Sequence, residues 1–83
     1  SRIFTVSVLL PDKPGELVRV AQIIANANGN VIKLDHNQFV SINRKATVEL
    51  RITIEAFGHE HKDQIVSELE KNGLRPRLVK VNI

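Results

Sequence analysis

The sequence predicts an α+β fold in the order β-α-β-β-α-β, one antiparallel four-stranded sheet with two helices on one face. Three observations predict it. Two segments repeat their apolar residues at helical spacing, and each stops at an Asn-Gly pair. Four others are rich in β-branched residues or alternate apolar with polar. The connections are short, and no periodic segment is left over.

Ile3 to Leu10 reads as a strand, with Phe4, Val6, Val8 and Leu10 on one face and Ile3, Thr5, Ser7 and Leu9 on the other. A helix is expected from about Gly15 to Ala27. Leu17, Val20, Ala21 and Ile24 form its apolar stripe, widened by Val18, Ile23 and Ala25. Asn28-Gly29-Asn30 ends it, because Gly and Asn tolerate the left-handed conformation of a helix cap. Val31 to about Ile42 is a second extended segment with Ile32 and Leu34 on one face, and Asn43-Arg44-Lys45 is a polar turn. Thr47 to Phe57 alternates most cleanly, with Val48, Leu50, Ile52, Ile54 and Ala56 inward and Glu49, Arg51, Thr53 and Glu55 outward as solvated charges and hydroxyls. Gly58 breaks that strand. His59 to Lys71 is a helix on Ile65, Val66 and Leu69, stopped by Asn72-Gly73. Leu78, Val79, Val81 and Ile83 make a last strand, and Pro76 at its entry argues for a sheet edge. Right-handed crossovers place both helices on one face. This is the ferredoxin-like sandwich.

Eighty-three residues make one domain. A chain this short buries only about 60–65% of its unfolded surface, so it gains from a partner. Without cysteine there is no disulfide, thiol nucleophile or thiolate metal site. No apolar run is long enough to span a bilayer and no signal-peptide pattern opens the chain, so no membrane partner and a cytoplasmic location are expected. The chain opens at Ser1 without Met, as a fragment of a longer protein or a processed chain would. The net charge of +3 invites a nucleic-acid reading, but its cations are interleaved with carboxylates. Its aromatics are only Phe4, Phe39 and Phe57, too few to stack bases, so no nucleic-acid partner is expected.

The stretch Leu10-Pro11-Asp12-Lys13-Pro14-Gly15-Glu16-Leu17 runs a strand into a helix without a spacer. The first N–H groups of a helix are unpaired, and with the helix dipole they suit a carboxylate or phosphate. Gly15 has no Cβ and lets a ligand or a neighbouring chain approach the backbone. Asp12 beside it offers an oxygen to an ammonium group. An ordinary turn, with Pro14 near the first helical position, is the alternative on local chemistry.

This Pro-Gly-Glu-Leu loop, with Gly29-Asn30-Val31 opening the second strand, resembles the ACT domain, a regulatory module that binds small molecules, most often amino acids. The resemblance runs from Phe4 to about Val81. More narrowly, Val31-Ile32-Lys33-Leu34-Asp35-His36 and the stretch from Val48 through Gly58-His59-Glu60-His61 resemble the C-terminal ACT domain of threonine dehydratases. The Glu-Ser-Arg-Pro stretch of the prephenate dehydratase branch is absent. The resemblance implies a regulatory domain spanning 1–83, at the C-terminal end of a longer enzyme. Pyridoxal phosphate would sit in the parent's catalytic domain and no cofactor in this one. It also implies a homodimer or higher oligomer, paired at the second strand, with an amino-acid effector between two copies. Asp12, Pro14, Gly15, Glu16 and Leu17 of one copy would face Asn30, Val31 and Ile32 of the other. The N–H groups of Gly15, Glu16 and Leu17 would take the carboxylate, and Asp12 or the Asn30 amide oxygen the ammonium. Leu17, Val31 or Ile32 would contact an aliphatic side chain. Isoleucine is the implied inhibitor and valine a possible antagonist.

Other clusters carry less. His59 and His61 are two apart, so a helix points them away from each other, whereas a helical zinc pair needs a spacing of four. They read as a polar first turn. His36, alone on a strand, reads as a sheet-face or interface residue with no nucleophile to serve. No catalytic residues and no metal site are expected. The competing functions are a free-standing ACT protein acting on a separate partner and, from another class, a ferredoxin-like RNA-binding module. The second lacks exposed aromatics, since Thr5, Ser7, Arg51 and Thr53 occupy the outward central positions.

Overall fold

In a computed structural model the elements are β1 (Ile3–Pro11), α1 (Glu16–Asn26), β2 (Asn30–Ile42), β3 (Lys45–Glu55), α2 (His59–Lys71) and β4 (Arg77–Val79). The structure describes residues 2–42 and 45–79, with the backbone alone for 38–42, 45 and 46. Asn43 and Arg44 of the expected turn and Val81 and Ile83 of the expected last strand lie outside the described residues, as does the Phe39 side chain. The strands form one antiparallel sheet in the order β2-β3-β1-β4, the ferredoxin-like arrangement. β4 is an edge, as Pro76 predicts, and β2 is the other.

The core lies between the sheet and both helices. Val6, Val8, Leu50, Ile52 and Ile54 meet Val20 and Ile24 of α1 and Ile65 and Leu69 of α2. Burying each such side chain contributes roughly 1.5–3 kcal/mol. Both helices end alike. After α1, the Asn28 and Gly29 N–H groups bond the Ala25 and Ile24 carbonyls, and after α2 those of Gly73 and Leu74 bond Glu70 and Leu69. These are Schellman caps. The left-handed residue is Asn28 (φ 64°) in the first and Gly73 (φ 84°) in the second. Gly29 is there for another reason: a Cβ would meet Ile24 Cγ2 at 2.8 Å and Ile65 Cδ1 at 3.0 Å.

Three expectations need correction. β2 carries an irregularity between Val31 and Lys33, so Val31 and Leu34 stand opposite Ile54 and Ile52 while Ile32 is the extra residue. Ile32 and Leu34 therefore do not share a face by simple alternation. Val18 is 68% exposed and Ala25 is also exposed, so neither widens the core stripe of α1. Glu49 is buried on the outer sheet face, where the Ser7 hydroxyl donates to its carboxylate and Arg51 Nε bonds it at 3.2 Å. Leu78 lies in the edge strand as expected, paired with Val6 and 58% exposed.

Candidate functional site

The β1–α1 junction is a tight, exposed loop. The Lys13 N–H bonds Pro11 O at 2.9 Å, and the Glu16 N–H reaches Lys13 O at 3.4 Å. Gly15 is the N-cap of α1, at φ 87° in the left-handed region, and nothing lies within 4 Å of where its Cβ would be. The glycine is thus demanded by the backbone as well as useful for access. The helix starts at Glu16, so Pro14 precedes the cap instead of occupying the first helical position. A glycine cap supplies no side-chain acceptor, and no side-chain cap bond is present. The Leu17 and Val18 N–H groups are left without an intrahelical acceptor, at the positive end of the dipole. Asp12, Pro14 and Leu17 are exposed around them.

Glu16 is turned along the helix. Its carboxylate takes Arg19 Nε at 3.0 Å, and the same guanidinium donates to Asn72 O at the C-cap of α2 at 3.2 Å. Arg19 thereby marks the flank of α1 that faces α2. With about 3.6 residues per turn, Leu17 and Ala21 lie on the opposite flank, away from α2 and toward the free edge of β2.

Asn30, Val31 and Ile32 sit elsewhere. Pro11 pairs with Thr47 at one end of β3, and Asn30 pairs with Glu55 at the other. Eight residues of strand separate these positions, about 27 Å. The structure brings Asp12, Pro14, Gly15, Glu16 and Leu17 together and holds Asn30, Val31 and Ile32 apart from them within one copy. At the β2 entry Asn30 Nδ2 donates to Glu55 Oε1 at 3.3 Å, which leaves the amide oxygen to accept from another group. Val31 is 37% and Ile32 50% exposed beside it.

Sequence reasoning missed His61. Its spacing from His59 reads as a polar first turn, but it is half-buried and bonded through both ring nitrogens, to the Phe57 N–H and to the Ala27 carbonyl. The spacing of four between Phe57 and His61 was the available signal. Their rings stack at 5.0 Å. Among the described residues, no group of three or more His, Asp or Glu side chains is arranged to hold a metal. His36 is exposed on β2, opposite Leu50.

The ACT domain model matches residues 4–74, and the chain belongs to that family. ACT domains are regulatory, non-catalytic modules that bind amino acids. No curated protein matches the chain. Among solved structures, prephenate dehydratase from Streptococcus mutans superposes with a TM-score of 0.73 at 18% identity, over 92% of this chain and 40% of that one. The ACT domain of GTP pyrophosphokinase from Chlorobium tepidum gives 0.69 at 13% identity, over 93% of this chain and 96% of that one. Formyltetrahydrofolate deformylase from Burkholderia mallei gives 0.67 at 16%, over 94% and 28%. These likenesses are of fold. The chain spans between two fifths and half the length of the first three matching structures.

Proposed function

We propose that this domain senses a branched apolar amino acid, such as isoleucine or valine, at an interface between two copies. The observation that carries the reading is the uncapped start of α1. Open backbone at Gly15 and free N–H groups at Leu17 and Val18 adjoin the apolar Leu17 side chain and the Asp12 carboxylate. Such a group suits the carboxylate of an amino acid. The β2 entry supplies the complementary half, an Asn30 oxygen for the ammonium and Val31 and Ile32 for an aliphatic side chain.

The halves stand at opposite ends of the sheet, so a complete site takes two chains. β2 has one neighbour strand among the described residues, and its free edge is long enough to pair with another. Antiparallel pairing of two β2 edges about a two-fold axis sets the start of one beside the finish of the other, at that copy's loop end. Leu17 and Ala21 extend the same flank with apolar surface. Effector binding there changes the preferred geometry of the pair and hence the activity of whatever is attached.

The attached protein in this reading is a pyridoxal-phosphate-dependent threonine dehydratase of the cytoplasm, with this domain C-terminal to its catalytic domain. The resemblance of the second and third strands to that branch supports it. A free-standing ACT protein acting on a separate enzyme is the second reading.

A panel of amino acids and the keto acids of isoleucine and valine, assayed by calorimetry and thermal shift, tests the proposal. Isoleucine or valine should bind and the keto acids should not, because a site oxygen meant for ammonium would stay unpaired. Saturation at a hundred times the dissociation constant should add about 2.7 kcal/mol of stability. Preference for lysine or aspartate would remove the threonine dehydratase reading, and tight binding of a keto acid would remove the ammonium half.

A further inference from the structure

The corner where α1 turns into β2 is held by one side chain from another part of the chain. Ala27, the C-cap of α1, accepts a 2.7 Å hydrogen bond from His61 Nε2. The other ring nitrogen, Nδ1, accepts the backbone N–H of Phe57 at 2.9 Å. A carbonyl can only accept and an amide N–H can only donate, so the two bonds fix one state of the ring: neutral, with its proton on Nε2. Phe57, itself 78% exposed, covers the imidazole at 5.0 Å between ring centroids with planes 20° apart. The ring therefore clamps the β3–α2 junction to the end of α1. Three residues beyond the clamped carbonyl lies Asn30.

We infer that His61 is a proton-sensitive clamp on the α1–β2 corner, closed when the imidazole is neutral and opened by its protonation. A second proton goes to Nδ1, which then faces the Phe57 N–H as donor against donor. The bond to Ala27 O survives, but the tie to the β3–α2 junction is lost. Imidazole is the side chain whose charge ordinarily changes between pH 5 and 8.

The corner itself, Ala27 to Asn30, contributes no ionisable side chain. His59 and Glu60 of α2 line the open cleft of about 460 Å³ that Phe57 and His61 border. Lys62, next on α2, is drawn off to the Phe4 ring, 5.6 Å from its centroid. Glu55, at the end of β3, is engaged by Asn30, and Arg2 lies beside it, its carbonyl taking the Ala56 N–H. The clamp concerns the fold of the corner and stands whether or not an amino acid is the effector.

Nuclear magnetic resonance of the whole chain tests it. At neutral pH the imidazole nitrogen shifts of His61 should report the Nε2–H tautomer. As acid places the second proton on the ring, reported by those same nitrogen shifts, the exchange protection of the Phe57 amide, corrected for the intrinsic pH dependence of exchange, should fall about tenfold, the equivalent of one lost hydrogen bond. Its loss should track the change in the His61 nitrogen shifts. His61→Phe keeps the stack and removes both bonds, so its Phe57 amide should be poorly protected at every pH. An Nδ1–H tautomer, or Phe57 protection that stays flat while the His61 nitrogen shifts change, overturns the proposal. The wild-type measurements decide the matter alone if His61→Phe fails to fold.

Discussion

Ser7 donates its hydroxyl hydrogen to the Glu49 carboxylate across the β1–β3 pair, on the sheet face opposite the helices. That bond is the largest influence on Glu49. Burial opposes it, and the hydrogen bond and charge of Arg51 then add to it, so the pKa lies below the ordinary 4.5. A carboxyl group whose pKa is lower folded than unfolded stabilises the fold fully above the unfolded value. It loses that contribution as pH falls through the folded value. Glu49→Gln should cost about 1 kcal/mol at neutral pH, and the difference from wild type should shrink as pH falls below 4.5. Urea unfolding across a pH series measures it. A difference that stays constant into acid would show that the charge of Glu49 is irrelevant.

Gly29 faces a packed wall. Ile24 Cγ2, Ile65 Cδ1 and Ile54 Cγ2 would stand 2.8, 3.0 and 3.2 Å from an added Cβ. Two of these are methyls on β-branched carbons, which cannot swing aside freely. Gly29→Ala should destabilise by about 1–3 kcal/mol, lowering Tm by about 4–8 °C per kcal/mol in a domain of this size. An unchanged Tm would mean that the α1–β2 corner shifts at little cost.

The α1 flank away from α2 predicts where copies meet. Ala21→Lys keeps a good helix former and lets its stem lie along the surface with the ammonium in water. Stability of the separated chain should change by no more than about 0.5 kcal/mol, while sedimentation at micromolar concentration should shift from dimer to monomer. Dimers that survive the substitution would move the interface to another surface.

Much of this architecture was legible because its signals are periodic. Val48 to Ala56 alternate into the core as their pattern requires, and the caps at Asn28 and Asn72-Gly73 follow from local chemistry. The misreadings share a different cause. The irregularity at Ile32 is a matter of pairing register, which composition does not encode. Glu49 is outward by alternation yet buried, because its central strand sets Leu9 of β1 and Asn37 of β2 on either side of it. His61 is set by a partner 34 residues away, Ala27. Of the candidate site, the Asp12–Leu17 loop was legible as one local motif. Its separation from Asn30 by the length of β3 emerged only from strand pairing.

Gly15 separates a folding role from a binding role when two substitutions are compared. At φ 87° a β-branched residue is strained whatever the space around it. Gly15→Val should therefore lose stability as well as effector binding. Asn tolerates the left-handed region, so Gly15→Asn should fold with a loss under about 1 kcal/mol while its side chain obstructs the helix N–H groups. Calorimetry with isoleucine and valine reads the second effect. If Gly15→Asn binds them as the parent does, the start of α1 is not where the carboxylate sits.

The sharpest test uses two damaged chains together. Asn30→Ala removes the amide oxygen of the β2 entry and should weaken binding by about 1–3 kcal/mol, while Gly15→Asn damages the loop half. In a dimer whose sites each take a loop from one chain and a β2 entry from the other, mixing these variants has a definite consequence. One of the two sites in a mixed dimer combines both damaged halves, and the other combines an intact loop with an intact entry. Unfolding and refolding an equimolar mixture should give half of the dimers mixed, each with one restored site. About a quarter of the parent's sites should thus return at the parent's affinity. A site built within a single chain would regain nothing, because every chain in the mixture carries one damaged half.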